Sequence, residues 1–166
     1  MRKSSFIGKM GLVAAITAAV LIADQASKAL IGKFIAPYEA IEVIPGLFNV
    51  VSVRNPGAAF GIMSGGGSLV LTIISFLAMA LIVVLIRQAN NPSVVVVLSL
   101  ILGGALGNIM DRIRFGEVVD FLDLHAWGYH WPAFNVADSA ITIGVAAYLF
   151  ITYFGATDGN TAPGPG

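Results

Sequence analysis

Apolar residues in this chain come in long uninterrupted runs. They do not follow the alternating or three-to-four-residue rhythm of elements that face water on one side. Residues 69–86 carry no charge, and neither do residues 93–110. Residues 134–154 hold a single charged side chain, Asp138. A shorter uncharged run, 10–23, is followed by Asp24 and Lys28 and then by Ala29, Leu30 and Ile31. A helix needs about 20 mostly apolar residues to cross the hydrocarbon layer. The pattern therefore predicts an all-α membrane protein in one domain, 1–166, with four transmembrane helices at about 10–31, 69–87, 93–111 and 134–154.

The connections between these runs are uneven. A tight polar turn, 87–92, joins the second and third helices, whereas 32–68 and 112–133 are long and fall on one side of the membrane if the helices alternate. Both long segments contain strand formers. Glu39-Ala40-Ile41-Glu42-Val43-Ile44, Leu47-Phe48-Asn49-Val50-Val51-Ser52-Val53 and Glu117-Val118-Val119-Asp120-Phe121 predict a small β-sheet over the outer face, between helices 1 and 2 and near helix 4. His125, Trp127, Tyr129, His130 and Trp131 form an aromatic-rich stretch whose default role is interfacial anchoring. The tail 156–166, small, polar and rich in Pro and Gly, is expected to be disordered.

The first run admits a second reading. Arg2, Lys3 and Lys9 precede it, and Ser27-Lys28-Ala29 has the small-x-small form of a signal-peptide cleavage site. Against cleavage, apolar residues continue past Lys28, and Asp24 and Lys28 are spaced to share one helix face. Orientation rests on the basic flank of the first helix, which places both termini in the cytoplasm. A plain count does not decide it, because Lys28, Lys33, Arg54, Arg112 and Arg114 lie on the opposite side.

Composition agrees with lipid as the solvent. Hydrophobic residues make up 57% and charged residues 11%, against about 25% charged in soluble domains. Nine basic and nine acidic residues cancel, so nothing points to nucleic acid. The absence of Cys removes thiol catalysis and thiolate metal sites, and two histidines are too few for a protein-only histidine metal centre.

The acids single out one face. Eight of the nine, Asp24, Glu39, Glu42, Asp111, Glu117, Asp120, Asp123 and Asp138, lie on the side opposite the termini or in helix ends near it. Ionisable groups at a membrane segment are costly and mark function by default. Asp138 has a plain alternative, because Asn135-Val136-Ala137-Asp138 has the form of a capping box, with the acid at the positive end of the helix dipole. Capping does not explain why Asp24, Asp111 and Asp120 gather at the same depth. Gly103 and Gly107 form a GxxxG, whose default meaning is close helix packing. Asn108, Asp111 and Arg112 share one face of the third helix end, as a solvated terminus would also require.

Five ordered segments carry a resemblance: Asp24-Gln25-Ala26-Ser27-Lys28, Asn55-Pro56-Gly57-Ala58-Ala59-Phe60, Gly103-Gly104-Ala105-Leu106-Gly107-Asn108-Ile109-Met110-Asp111-Arg112, Val118-Val119-Asp120-Phe121 and Phe134-Asn135-Val136-Ala137-Asp138-Ser139. Together they resemble lipoprotein signal peptidase, or signal peptidase II, over nearly the whole chain. Pro56 departs from the family's usual Thr and restricts Asn55 to extended conformations.

The resemblance implies a bacterial inner-membrane aspartic peptidase with a periplasmic β-cradle and a retained first helix. Its substrates would be prolipoproteins whose cysteine already carries diacylglycerol, cut on the N-terminal side of that cysteine. It implies Asp120 and Asp138 as the catalytic pair, with Asp24, Lys28, Asn55, Gly104, Asn108, Asp111, Arg112 and Asn135 binding substrate or supporting the site. No cofactor or metal is expected. The expected partners are the lipidated substrates and membrane lipids, and the chain is expected to act as a monomer. Within that frame Asn55, Asn108 and Asn135 are expected to hold the substrate backbone and Arg112 to steady the local carboxylates or polar loops. An ion-coupled transporter, or a scaffold with no catalysis, would also place acids near spans. The first would want them near the midplane, and the second would make both aspartates silent to substitution.

Overall fold

The structure, a computed structural model, describes residues 2–57 and 67–154. Ala58, Ala59 and Phe60 of the second motif and the tail 156–166 lie outside the described residues. The described elements run α1 (Arg2–Phe34), β1 (Ala40–Ile44), β2 (Phe48–Asn55), α2 (Gly67–Gln88), α3 (Pro92–Phe115), β3 (Val118–Ala126), β4 (Tyr129–His130) and α4 (Val136–Phe154). Among them, all four helices are long and apolar enough to cross a membrane.

Helix α1 runs without a break through Ser27-Lys28-Ala29, so the candidate cleavage site lies within a helix. Helix α3 continues beyond the expected end at 111 to Phe115, where Gly116 takes the left-handed conformation (φ 76°) and returns its N–H to the Arg112 carbonyl. At its other end the Asn91 side chain accepts from the Ser93 N–H and Pro92 starts the first turn.

Helix α3 is the axis of the bundle and packs against α1, α2 and α4. Its buried side includes Val95, Leu98, Gly103, Gly104, Gly107 and Asn108. Ile82 and Ile86 of α2 meet Leu98 in a small apolar core with Met10, Val13 and Tyr148 around it. The outer helices leave Ile22, Leu30, Ile73, Leu77, Ile143 and Phe150 exposed. In water such a surface would aggregate, whereas in lipid it is simply solvated.

Small residues set the helix spacing. A Cβ added at Gly103 would meet Val20 Cβ at 2.7 Å, so the GxxxG does face α1. At Gly104 it would overlap the Ala137 carbonyl oxygen and approach Ile141 Cγ1 to 2.8 Å, on the side of α4. Gly104→Ala is therefore expected to destabilise the bundle by about 1–3 kcal/mol. Gly11→Ala, where a Cβ meets nothing within 4 Å, should cause no loss. Thermal unfolding in detergent checks both.

The sheet has the order β1-β2-β3-β4 with antiparallel pairing throughout. Strand β2 pairs with β3 from Phe48↔Leu124 to Asn55↔Val118, with a register shift between Val50 and Val53. Strand β3 is longer than the sequence suggests. It takes in His125 and turns back into β4 through Trp127 (φ 51°) and Gly128 (φ 79°). Positive φ at both central residues is the two-residue hairpin turn that follows the twist of its strands. The chain then returns along β3, where Phe134 exchanges backbone bonds with Leu122 (Phe134 N–H to Leu122 O 3.0 Å, Leu122 N–H to Phe134 O 2.8 Å). This delivers Asn135 and the start of α4 to the strand that carries Asp120.

Candidate active site

The capping box expected at α4 is present. The Asp138 N–H donates to Asn135 Oδ1 (2.9 Å), and the Asn135 N–H donates to Asp138 Oδ2 (3.3 Å). Asn135 does more than cap. Its side-chain amide, fully buried, donates to Asp120 Oδ1 at 2.7 Å and also reaches Asn108 Oδ1 (3.2 Å) and the Val119 carbonyl (3.3 Å). One residue thus binds Asp138 through its backbone and Asp120 through its side chain.

Each aspartate is held at both oxygens. Asp120 Oδ2 accepts from Asn55 Nδ2 (2.9 Å), whose own Oδ1 accepts from the Gly57 N–H (2.9 Å). Asp138 Oδ1 accepts from Asn108 Nδ2 (2.7 Å). Each of the three asparagines expected to hold substrate backbone donates an amide N–H to one of the two carboxylates. Asn108 and Asn135 are buried and Asn55 is half-buried. Arg112 donates to the Asn108 carbonyl (3.5 Å) and lies within electrostatic reach of Asp138, Asp120 and Asp111.

Asp120 is 2% exposed. Burial pushes its carboxyl up to about 6, aided by the nearby charge of Asp138 and opposed by the amides of Asn55 and Asn135 and the charge of Lys28. Asp138 is half-buried and faces outward into an open groove of about 520 Å³. The groove is lined mainly by apolar groups, among them Leu124, Trp131, Phe134 and Ile143, with Asp138 and Ser139 supplying polarity.

A second polar layer lies beneath the pair. Lys28 Nζ contacts Asp24 Oδ2 (2.8 Å), Asp111 Oδ2 (2.8 Å) and Asn108 Oδ1 (3.2 Å). Asp24 Oδ1 accepts from the Ala137 N–H (3.0 Å), so α1 supplies a cap for the first turn of α4. Asp111 Oδ2 accepts from the Val119 N–H (3.3 Å) one residue before Asp120. A Cβ at Gly107 would overlap the Asp24 carboxylate, and this close approach lets the layer form. Asn108 joins the layers, because its oxygen accepts from Lys28 and Asn135 while its N–H₂ donates to Asp138.

Thus Asp24, Lys28, Asn55, Asn108, Asp111, Asp120, Asn135 and Asp138 converge in one network, and Gly104 acts beside it by admitting α4. Gln25 was not among the expected site residues. Its amide donates to Asp24 Oδ2 (3.1 Å) and Asp111 Oδ1 (3.0 Å), and its oxygen accepts from Arg114 (3.2 Å). The available signal was a second polar residue next to Asp24 within an apolar run.

The stretch 125–131 divides in the structure. Trp127, Tyr129 and Trp131 are exposed, whereas His125 and His130 stack on each other beside Asp123. Asn49 Nδ2 donates to Asp123 Oδ2 (2.9 Å) from the neighbouring strand.

Four helices long and apolar enough to cross a membrane, joined by a small sheet that carries one of two hydrogen-bonded carboxylates, define a class, the multi-pass membrane proteins. Comparisons with known proteins give the family. The model of the family described as Signal peptidase (SPase) II matches residues 16–154. A protein named lipoprotein signal peptidase from Syntrophotalea carbinolica is 47% identical over 138 residues, covering 81% of this chain and 86% of that protein. One of the same name from Staphylococcus aureus is 44% identical over 146 residues, covering 87% and 88%. A solved bacterial membrane enzyme, determined by the in meso method, superposes with a TM-score of 0.81 at 35% identity, covering 93% of this chain and 95% of its own. The chain belongs to the signal peptidase II family of aspartic peptidases.

Proposed function

We propose that Asp120 and Asp138 are the catalytic dyad with which this chain removes signal peptides from prolipoproteins. The observation that carries the assignment is Asn135, which holds both carboxylates at once. Two carboxylates held by one residue and within electrostatic reach of each other resist simultaneous ionisation, so the pair retains one proton. The ionised member takes a proton from the attacking water. The protonated member donates a hydrogen bond to the scissile carbonyl oxygen, where charge develops. The two carboxyls titrate as a coupled pair.

The substrate's chemistry matches the surroundings. A prolipoprotein bearing diacylglycerol on its cysteine keeps its acyl chains in the outer leaflet, and its signal peptide is itself a membrane segment. The apolar groove ending at Asp138 supports that choice. Both partners are confined to the bilayer, which lowers the entropic cost of aligning the scissile bond. In this reading both termini are cytoplasmic, the dyad faces the periplasm across the inner membrane, and the chain acts as a monomer. Lys9 near the N-terminus donates to the Ala89 carbonyl (2.6 Å) after α2, which supports the basic flank and the turn 87–92 sharing one side.

The test is cleavage by the purified chain in detergent of a diacylglyceryl-modified prolipoprotein beside its unmodified precursor. The expected result is a single cut on the N-terminal side of the lipidated cysteine and no cut in the unmodified protein. Equal cleavage of both, or of neither, would refute the substrate assignment.

A pH dependence follows from Asp120. Burial raises the Asp120 carboxyl to about 6, so the pair holds a proton below that pH and loses it as pH rises. The value of kcat/KM for the free enzyme is expected to fall as pH rises through about 6, with unit slope. A pH–rate profile at substrate concentrations below KM measures it.

A further inference from the structure

The β3–β4 hairpin brings together three side chains that the dyad does not use. His125 and His130 are cross-strand partners, and Asp123 lies two residues before His125 on the same face of β3. The two imidazoles stack with centroids 4.7 Å apart and planes 4° from parallel. His130 Nδ1 lies 2.9 Å from Asp123 Oδ1. One nitrogen or oxygen from each of the three residues falls within 4.8 Å of the others. Two histidines, too few on paper, become a donor set once the hairpin pairs them and adds a carboxylate.

We propose that Asp123, His125 and His130 bind a divalent transition-metal ion of the zinc type at the outer face, separate from the dyad. Three observations support it. First, His125 Nδ1 is buried and has no hydrogen-bond partner among the described residues. A buried imidazole nitrogen left this way loses its hydration without return, and a cation would fill that role. Second, the Asp123 carboxylate is already oriented, because Asn49 Nδ2 donates to its Oδ2 at 2.9 Å. Such supporting bonds are what metal-bound carboxylates carry. Third, the chemistry fits, since two imidazoles, a carboxylate and a solvent molecule complete a four-coordinate zinc shell.

Ligands on one tetrahedral zinc lie about 3.3 Å apart, given metal–ligand distances of about 2.0–2.1 Å. The Asp123–His130 separation is already close to this. His130, whose side chain is 55% exposed, can turn to close the remainder. The ion would clamp the hairpin. Leu124, between two of the ligands, and Trp131, next to the third, line the groove that ends at Asp138, so the clamp would stiffen that wall. The hydrolytic step itself is not routed through the ion.

The test uses the full chain in detergent, purified without a histidine tag and stripped with EDTA. Co²⁺ is titrated and its visible d–d absorption recorded, and Zn²⁺ is then added in competition. The expected result is one Co²⁺ per chain with the strong bands of a four-coordinate site, displaced by one Zn²⁺. His125→Ala and His130→Ala should abolish the bands, while Asp138→Asn should keep them. Asn49→Ala, which leaves all three ligands in place, should weaken Zn²⁺ about tenfold. Circular dichroism and a melting temperature equal to that of the metal-free parent would certify that each histidine variant is folded. If the chain shows no four-coordinate Co²⁺ spectrum, or if folded His125→Ala and His130→Ala bind as the parent does, the site does not exist.

Discussion

Asp120→Asn and Asp138→Asn are each expected to slow signal-peptide cleavage by at least about 10²–10⁴-fold, the range that positioned acid–base groups contribute. Asn preserves shape but can neither take a proton from water nor share one with its partner. The geometry adds a second penalty. Asp120 accepts N–H groups at both oxygens, from Asn55 and Asn135. Asp138 does the same, from Asn108 and the Asn135 backbone. An Asn side chain offers one acceptor oxygen and one N–H₂, so one donor in each set would face another donor. Initial cleavage rates of purified variants, with Glu42→Gln as an exposed-acid control, measure the effect. Parent-like rates in either aspartate variant would remove that residue from the dyad.

The same substitution at Asp120 has a pH signature in stability. Its folded carboxyl sits at about 6, above the usual value of 3.8. Proton binding therefore favours the folded state. The stabilisation is full below the unfolded value and is lost as pH rises through about 6. Asp120→Asn should erase that portion of the pH dependence.

Lys28→Met is expected to be the most destabilising single change in the polar network, by about 3–5 kcal/mol. Lys28 is 6% exposed and touches Asp24 and Asp111 at 2.8 Å each. Without it two buried carboxylates face each other with no cation between them. Asp24 also caps α4 through Ala137, and Asp111 holds the Val119 N–H beside Asp120, so the damage should reach the dyad. Thermal unfolding in detergent reads the loss. Adding Asp111→Asn to Lys28→Met should recover part of it, because a single carboxylate, still bonded to Gln25 and Ala137, then remains. If the double variant is no more stable than the single one, the loss comes from packing rather than charge.

The helices were legible because a membrane span needs only an uninterrupted apolar run, visible in one dimension. Their ends were less so. Residues 112–115 continue α3 because Gly116, not the first charge, supplies the stop. The gathering of Asp24, Asp111, Asp120 and Asp138 at one depth was legible from their positions, and the structure joins them in one network. The roles of individual polar residues were not, since they depend on contacts between residues far apart in sequence. Asp24 and Asp111 are united by Lys28, and no spacing announces that. Asn135 looked like a cap and is one, yet its amide also reaches Asp120 because the strand pairing of Leu122 with Phe134 sets the two elements side by side. The turn Trp127-Gly128 was hidden inside an aromatic stretch whose ordinary meaning is an interface anchor, and with it the pairing of His125 and His130.

The central claim is that Asp120 and Asp138 share one proton. Infrared difference titration of the purified chain, following the protonated-carboxyl stretch, tests it directly when compared with the Asp138→Asn variant. One protonated carboxyl that disappears as pH rises through about 6, with a lower midpoint in Asp138→Asn because the neighbouring charge is gone, is the result expected. A carboxyl that titrates at the same pH in both proteins, or none that is protonated at pH 5, would contradict it.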